Sequence, residues 1–227
     1  EAIPAAKLHQ INGLQTQPFN TIFQLIAQAH DPRWDEVDHV LLMPDLLSWR
    51  LTGEVVAEVT MASTTGLLDV AGRRWSEELL TLVDEHWRLP LARVLPGLIE
   101  PGAVVADTLP GVLPRPVPVV AVAGHDTASA VVSVPLTSPD AAWISSGTWS
   151  LVGVELPFPV LSAAAREANF TNELGYGNTV RFLKNVMGPW VLIEARRAWA
   201  EAGHDPTANA PIGCDGDDDF FRVVALL

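Results

Sequence analysis

An α/β fold in two parts is what this sequence predicts, on three observations. Segments with helical and with strand-like apolar spacing alternate along the chain, the pattern of a layered sheet flanked by helices. Hydrophobic residues make up 48% of the 227 and charged residues 18%, which is enough apolar material for a sizeable core. Prolines punctuate the stretch from Leu89 to Pro118 and are densest in Pro110-Gly-Val-Leu-Pro-Arg-Pro116, where neither a helix nor a central strand can form. That run is the expected linker, with a domain boundary near residue 116.

The elements follow in order. Pro18 to His30 sets Ile22, Phe23, Ile26 and Ala29 at helical spacing, and Asp31-Pro32 ends the helix. After the short apolar run Leu41-Leu-Met-Pro44, Asp45 reads as the N-cap of a helix over Leu46 to Leu51, closed by Gly53. Glu58 to Asp69, rich in β-branched and small residues, predicts a strand. Trp75 to Asp84 predicts an amphipathic helix with Glu77 and Glu78 in its first turn, where they complement the helix dipole. Beyond the linker, Val117 to Ala123 predicts a buried parallel strand and Asp126 to Val134 a small-residue helix. Ala141 to Glu155 predicts a hairpin around a Ser-Ser-Gly turn. Val180 to Leu183 predicts a strand, and Val186 to Ala202 a helix closed by Gly203. No internal repeat is visible.

Charge and composition exclude several functions. The formal net charge is -13, so no basic surface is available for nucleic acid or an anionic membrane. Asp215-Gly-Asp-Asp-Asp219 reads as a solvated acidic loop. Cys214 is the only cysteine, which rules out an intrachain disulfide and a thiolate metal cluster and fits a reducing compartment. His9, His30, His39, His86 and His204 show no metal-ligand spacing. Glu1-Ala-Ile-Pro-Ala-Ala-Lys7 has neither the basic start nor the apolar core of a signal peptide. The most apolar window, Val117 to Val134, is interrupted by His125 and Asp126 and is no membrane span.

That window carries the chemistry. A buried strand ending on Gly124-His-Asp126 sets a carboxylate at a strand mouth, placed to take a proton from a bound hydroxyl. The turn Ser145-Ser-Gly-Thr148 offers backbone N–H groups and hydroxyls to a phosphate. A base and a phosphate cradle together point to phosphoryl transfer to an alcohol. Each signal has a plainer reading. Asp126 is also good N-cap chemistry, His125 an ordinary loop hydrogen-bonding residue, the Ser-Ser-Gly run an ordinary turn, and Asn185 a helix cap. The eight tryptophans read as packing residues, with Trp149 the one to test against a sugar-stacking role.

Several blocks carry a resemblance: Leu14-Gln…Pro18-Phe-Asn-Thr21, Leu41-Leu-Met-Pro-Asp45, Ser48-Trp-Arg-Leu-Thr-Gly53, Ala62-Ser-Thr-Thr65, Gly124-His-Asp-Thr-Ala-Ser-Ala130, Ser145-Ser-Gly-Thr-Trp-Ser-Leu151, Thr171-Asn-Glu173 and Leu183-Lys-Asn-Val-Met-Gly188. In order and spacing they resemble the FGGY carbohydrate kinases, and within them the rhamnulokinase group, from about Leu14 to Ala200. The resemblance implies an actin-like (RNase H-like) fold of two domains, in which residues 1–116 end the first, sugar-binding domain. Residues 117–227 begin the second, nucleotide-binding one. It implies a cytoplasmic enzyme that uses ATP with Mg²⁺ to phosphorylate the 1-hydroxyl of L-rhamnulose. By position, Asp126 resembles the catalytic base, and His125, Asp126, Thr127 and Asn185 the sugar-binding residues. Ser146, Gly147 and Thr148 resemble the ATP phosphate contacts.

The chain also departs from that pattern. The family's Asp-x-Gly phosphate loop would fall before Glu1, and its Gly-Gly-rich adenosine segment after Leu227. Ile193 stands where the family has a glutamine against ATP, and residues 204–227 match nothing in it. The expectation is therefore the middle of such a kinase, incomplete at both ends. A kinase for xylulose or fuculose and a catalytically inactive remnant stand as the alternatives.

Overall fold

The computed structural model of this chain describes residues 3–136, 138, 141–146 and 149–203. Gly147, Thr148 and the atypical tail, all singled out from sequence, lie outside them.

The first half is mostly helical. α1 (Ala5–Asn12) ends at Gly13 and is followed by α2 (Thr21–Ala27), α3 (Met43–Thr52), β1 (Val56–Glu58) and α4 (Val59–Ala62). Then come β2 (Leu68–Asp69), β3 (Arg74–Trp75), α5 (Glu77–Trp87), α6 (Leu91–Val94), β4 (Gly97–Ile99) and β5 (Val104–Asp107). β1 pairs in parallel with β4, and β2 antiparallel with β3. The helices expected after Pro18 and around Leu80 form. In α5 the Ser76 hydroxyl accepts from Leu79 N at 3.3 Å, and Leu79, Leu80 and Val83 are buried. Leu80 and Val83 join Ile22, Leu25, Leu67, Leu89, Leu91 and Val94 in one apolar cluster, with Trp34, Trp75 and Trp87 packed on its edge.

Two expectations fail here. Asp45 is not an N-cap: α3 starts at Met43 with Leu42 as cap, and Asp45 lies buried in the first turn. Pro44 near the helix start supplies the start signal instead. Glu58 to Asp69 is not one strand either: Glu58 ends β1 and Leu68–Asp69 form β2, with α4 and a turn between them. Glu58 caps α4 through its side chain, and the following hydroxyls bond back along the chain: Ser63 Oγ to Thr60 O at 2.8 Å, Thr64 Oγ1 to Met61 O at 2.9 Å and Thr65 Oγ1 to Ala62 O at 2.6 Å. Local side-chain hydrogen bonding overrides β propensity in this run.

The second half is organised by one sheet. β6 (Pro118–Val120) pairs antiparallel with β5, so the exposed 110–116 run lies between two paired strands. The strand expected from Val117 to Ala123 is thus short and antiparallel, not parallel, and ends before the Gly124 turn. α7 (Asp126–Ser133), β7 (Ala142–Ser146), β8 (Trp149–Leu156), α8 (Ala163–Glu167), β9 (Phe170–Leu174), β10 (Val180–Met187) and α9 (Pro189–Glu201) follow. The strands form an antiparallel sheet in the order β7-β8-β10-β9. β10 runs through Asn185 to Met187, so Asn185 is a strand residue rather than a helix cap. α9 starts three residues later than expected, with Pro189 in its first turn.

Strand alternation sorts the sheet's residues by face. Ladder partners Ser145↔Leu151↔Asn185 share one face with Trp143↔Gly153↔Leu183↔Thr171 and Glu155↔Arg181↔Glu173. Val131 of α7 packs there with Trp143 and Leu183. Gly153 allows the closeness: a Cβ there would stand 2.7 Å from both Leu183 Cβ and Trp143 Cζ2. The halves share a core, since Val59, Ala62, Leu68 and Val70 pack with Leu174 and Val180. Asn172 locks them together. Its backbone N and Nδ2 donate to Gly13 O, each at 3.0 Å, and its Oδ1 accepts from Val160 N at 2.7 Å. Among the described residues no helix is long and apolar enough to cross a membrane.

Candidate active site

The cleft is built from three parts of the fold. Leu14, Gln15, Gln17, Phe19, Asn20 and Thr21, with Thr64, form one wall. The turn His125-Asp-Thr127 forms the floor, and Ser145, Ser146, Trp149, Leu151, Thr171, Glu173 and Asn185 of the sheet form the other wall. The cavity measures about 580 Å³. Its lining is dominated by amide, hydroxyl and carboxylate groups, with Trp149, Phe19 and two leucines supplying apolar surface. That chemistry suits a small polyhydroxylated molecule.

The floor is held from the first half. Glu58 is 3% exposed, and its carboxylate accepts from Thr60 N at 2.9 Å, from Thr60 Oγ1, from Met61 N at 3.2 Å and from Gly124 N at 2.9 Å. Thr60 Oγ1 in turn accepts from His125 N at 3.2 Å. Beneath them Asp45, also 3% exposed, accepts from Glu58 N at 3.1 Å through Oδ1, while Oδ2 has no hydrogen-bond partner among the described residues. Burial pushes Asp45 up to about 6. The Glu58 amide opposes this and the Glu58 carboxylate adds to it.

Asp126 opens α7, with its side chain 95% exposed into the cleft. Its Oδ1 accepts from Thr127 N at 2.6 Å and from Thr127 Oγ1 at 3.3 Å. The N-cap is His125, whose Nδ1 accepts from Thr127 N at 3.3 Å and lies 3.2 Å from Asp126 Oδ1. The capping role considered for Asp126 therefore belongs to its neighbour. Burial lowers the His125 pKa. Glu173 raises it, Arg181 lowers it, and Asp126 and Glu58 raise it.

On the sheet side, Asn185 Nδ2 donates to Gln15 Oε1 at 3.3 Å, which ties the first wall to β10. Ser146 Oγ and Ser150 Oγ share a hydrogen bond at 3.1 Å. Trp149 is 56% exposed, whereas Trp143 on the neighbouring strand is buried. Ile193 lies half-exposed on α9 and does not line the cleft. Among the described residues no group of three or more His, Cys, Asp or Glu could hold a metal ion.

The structure thus brings His125, Asp126, Thr127, Ser146 and Asn185 into one cleft; Gly147 and Thr148 lie outside the described residues. Sequence reasoning gave no role to Glu58, Glu173 or Arg181, and read Asp45 only as a helix cap. Arg181 carried a signal, a lone cation inside the apolar strand Val180 to Leu183. Glu58 carried none, because its partner Gly124 is 66 residues away.

The family model described as the N-terminal domain of the FGGY family of carbohydrate kinases matches residues 1–133, and that of the family's C-terminal domain matches residues 142–224. The rhamnulokinase of Enterococcus faecalis is 43% identical over 197 residues, covering 84% of this chain and 38% of that protein. The rhamnulokinase of Pectobacterium carotovorum is 46% identical over 230 residues, covering 96% of this chain and 45% of that protein. The chain spans less than half the length of these curated relatives. Among solved structures, the xylulose kinase from Rhodospirillum rubrum superimposes with a TM-score of 0.75 at 15% identity, covering 88% of this chain and 40% of that one. The Plasmodium falciparum glycerol kinase with ADP gives 0.71 at 15% identity, covering 86% and 40%. At such identities the likeness establishes the fold, the actin-like fold of sugar kinases covered in part.

Proposed function

The chain belongs to the FGGY family of carbohydrate kinases, and from that premise we propose that a protein carrying it transfers the γ-phosphoryl group of ATP to the 1-hydroxyl of L-rhamnulose. The observation that carries the reading is the gathering of Asp126, His125, Thr127, Asn185 and Ser146 around one polar cleft. The sugar-binding part gives way to the nucleotide-binding part between the proline-rich run at 110–116 and residue 142. The setting is cytoplasmic.

A ketose 1-hydroxyl is a weak nucleophile at neutral pH. In this reading Asp126 is its general base, with Oδ1 occupied by Thr127 and Oδ2 left to receive the proton. The hydroxyl oxygen bonds to the γ-phosphorus, the bond from that phosphorus to the bridging oxygen breaks, and ADP leaves. Asn185, braced by Gln15, and His125 and Thr127 position the sugar. Ser146, with Gly147 and Thr148, would hold the nucleotide phosphates. The hydroxyls of Ser145 and Ser146 on the cleft wall are suitable donors for that task. Mg²⁺ would enter on the phosphates, where it neutralises charge and keeps much of its water, so no protein cage of carboxylates is required.

The test is ADP release by the full-length protein containing this chain, with Mg-ATP and a panel of L-rhamnulose, L-fuculose and D-xylulose. Highest kcat/KM on L-rhamnulose is the expected result. Preference for another ketose overturns the substrate assignment. Silence on all three, alongside an active relative, leaves the inactive-remnant reading.

A further inference from the structure

One carboxylate in the cleft has no task in the chemistry above. Glu173 lies on the sheet face toward the cleft, with its side chain 13% exposed. Its ladder partner Arg181 is wholly buried, and Glu155 stands opposite Arg181 on the other side. Arg181 Nη2 approaches Glu173 Oε2 to 3.0 Å, yet neither atom has hydrogen-bond alignment, so the pair acts through charge. The same Oε2 lies 3.9 Å from His125 Nε2.

The imidazole therefore has a choice. With its proton on Nε2, it points N–H at Glu173 and keeps the Nδ1 lone pair for the Thr127 amide. With its proton on Nδ1, it turns that N–H toward Asp126 Oδ1, 3.2 Å away, loses the cap, and sets the Nε2 lone pair against the Glu173 carboxylate. The charged groups acting on the ring are Glu173, Arg181, Asp126 and Glu58. Of these, Glu173 alone approaches Nε2 within 4.0 Å among the described residues.

We propose that Glu173, held in place by Arg181, is a positioning residue that keeps His125 in the Nε2–H tautomer, so that His125 caps α7 and leaves Asp126 free of an imidazole proton. A plain ion pair within the sheet needs no such tautomer, and that difference is measurable. The effect on turnover rests on the kinase reading, whereas the tautomer does not.

The experiment is long-range ¹H–¹⁵N correlation NMR of the histidine rings in this chain, with His125 assigned by the signal lost in His125→Asn. The expected result is an Nε2–H ring in the parent. In Glu173→Gln, the donor-only Arg181 turns the amide oxygen toward itself and the NH₂ toward His125 Nε2, which must then accept. The Nδ1–H form should gain by about fivefold, the scale of losing one close charge from beside the ring. Glu173→Asp, which keeps a charge for Arg181, should restore the parent tautomer. A parent ring protonated on Nδ1, or a folded Glu173→Gln with an unchanged ring, overturns the proposal. Where Glu173→Gln does not fold, the parent tautomer alone decides. In the full-length protein, Glu173→Gln should lower kcat roughly tenfold with little change in the sugar KM. A silent parent enzyme with the expected tautomer overturns the kinase reading and not the positioning role.

Discussion

The turn Gly124 to Thr127 and the hairpin residues Ser145, Ser146 and Trp149 line the same cleft and are held by opposite means. In the turn, the amides of Gly124, His125 and Thr127 all have side-chain acceptors, two of them supplied by Glu58 and Thr60 from the first half of the chain. Thr127 is buried, and Ser129 Oγ donates to Ala123 O at 2.6 Å. The hairpin end leans on its own ladder, with Ile144 65% and Trp149 56% exposed. A group that must present one oxygen to a hydroxyl gains from fixed neighbours. Under the proposed function, a wall that admits a long, flexible co-substrate has less need of them.

The sharpest test of the contrast is Asp126→Asn. In the full-length protein, turnover should fall by about a thousandfold while sugar binding and melting temperature stay close to the parent's. Turnover within tenfold of the parent would remove Asp126 as base. Next is Glu58→Ala, which leaves four donors without their acceptor. It should cost about 3 kcal/mol in urea unfolding and lower activity without touching the sugar. A cost under about 1 kcal/mol would mean that the turn is not held from the first half.

The third test is a pH dependence. The Asp45 pKa is raised from 3.8 to about 6 in the fold, so its contribution to stability is fully present below pH 3.8 and drains away as pH rises through about 6. Asp45→Asn should abolish that decline and exceed the parent by about 2 kcal/mol at pH 7.5, read from unfolding curves at pH 4 and 7.5. Parallel curves for parent and variant would contradict the buried-carboxyl assignment. The smallest effect belongs to the exposed wall. Trp149→Ala should raise the sugar or nucleotide KM several-fold and change stability by less than about 0.5 kcal/mol. A larger loss of stability would show that the hairpin end is packed as firmly as the turn.

Particular residues show what was legible in the chain. The helix at Glu77–Trp87 was readable because Ser76, the two acids and the buried leucines all act within a few residues of one another. The hairpin around Ser145 was readable for the same reason. The run Glu58 to Asp69 misled, because composition speaks for a strand while the hydroxyls bond back to carbonyls three residues earlier. Asn185 misled as well, because strand β10 outlasts its apolar stretch to pair with Leu151 of β8.

The sequence by itself determined the alternation of helix and strand, the acidic net charge that argues against nucleic-acid and anionic-membrane partners, and the motif blocks that mark Asp126, His125, Thr127, Ser146 and Asn185. Those signals are local, written in residue type and short spacing. Only the tertiary structure decided that Glu58 anchors Gly124, that Arg181 sits between Glu155 and Glu173, and that Glu173 faces His125. The contacts to Gly124 and His125 join residues far apart in the chain, that of Arg181 with Glu173 joins neighbouring strands, and their pairing depends on strand register and on the shared core between the halves. Neither is encoded in any short window of sequence.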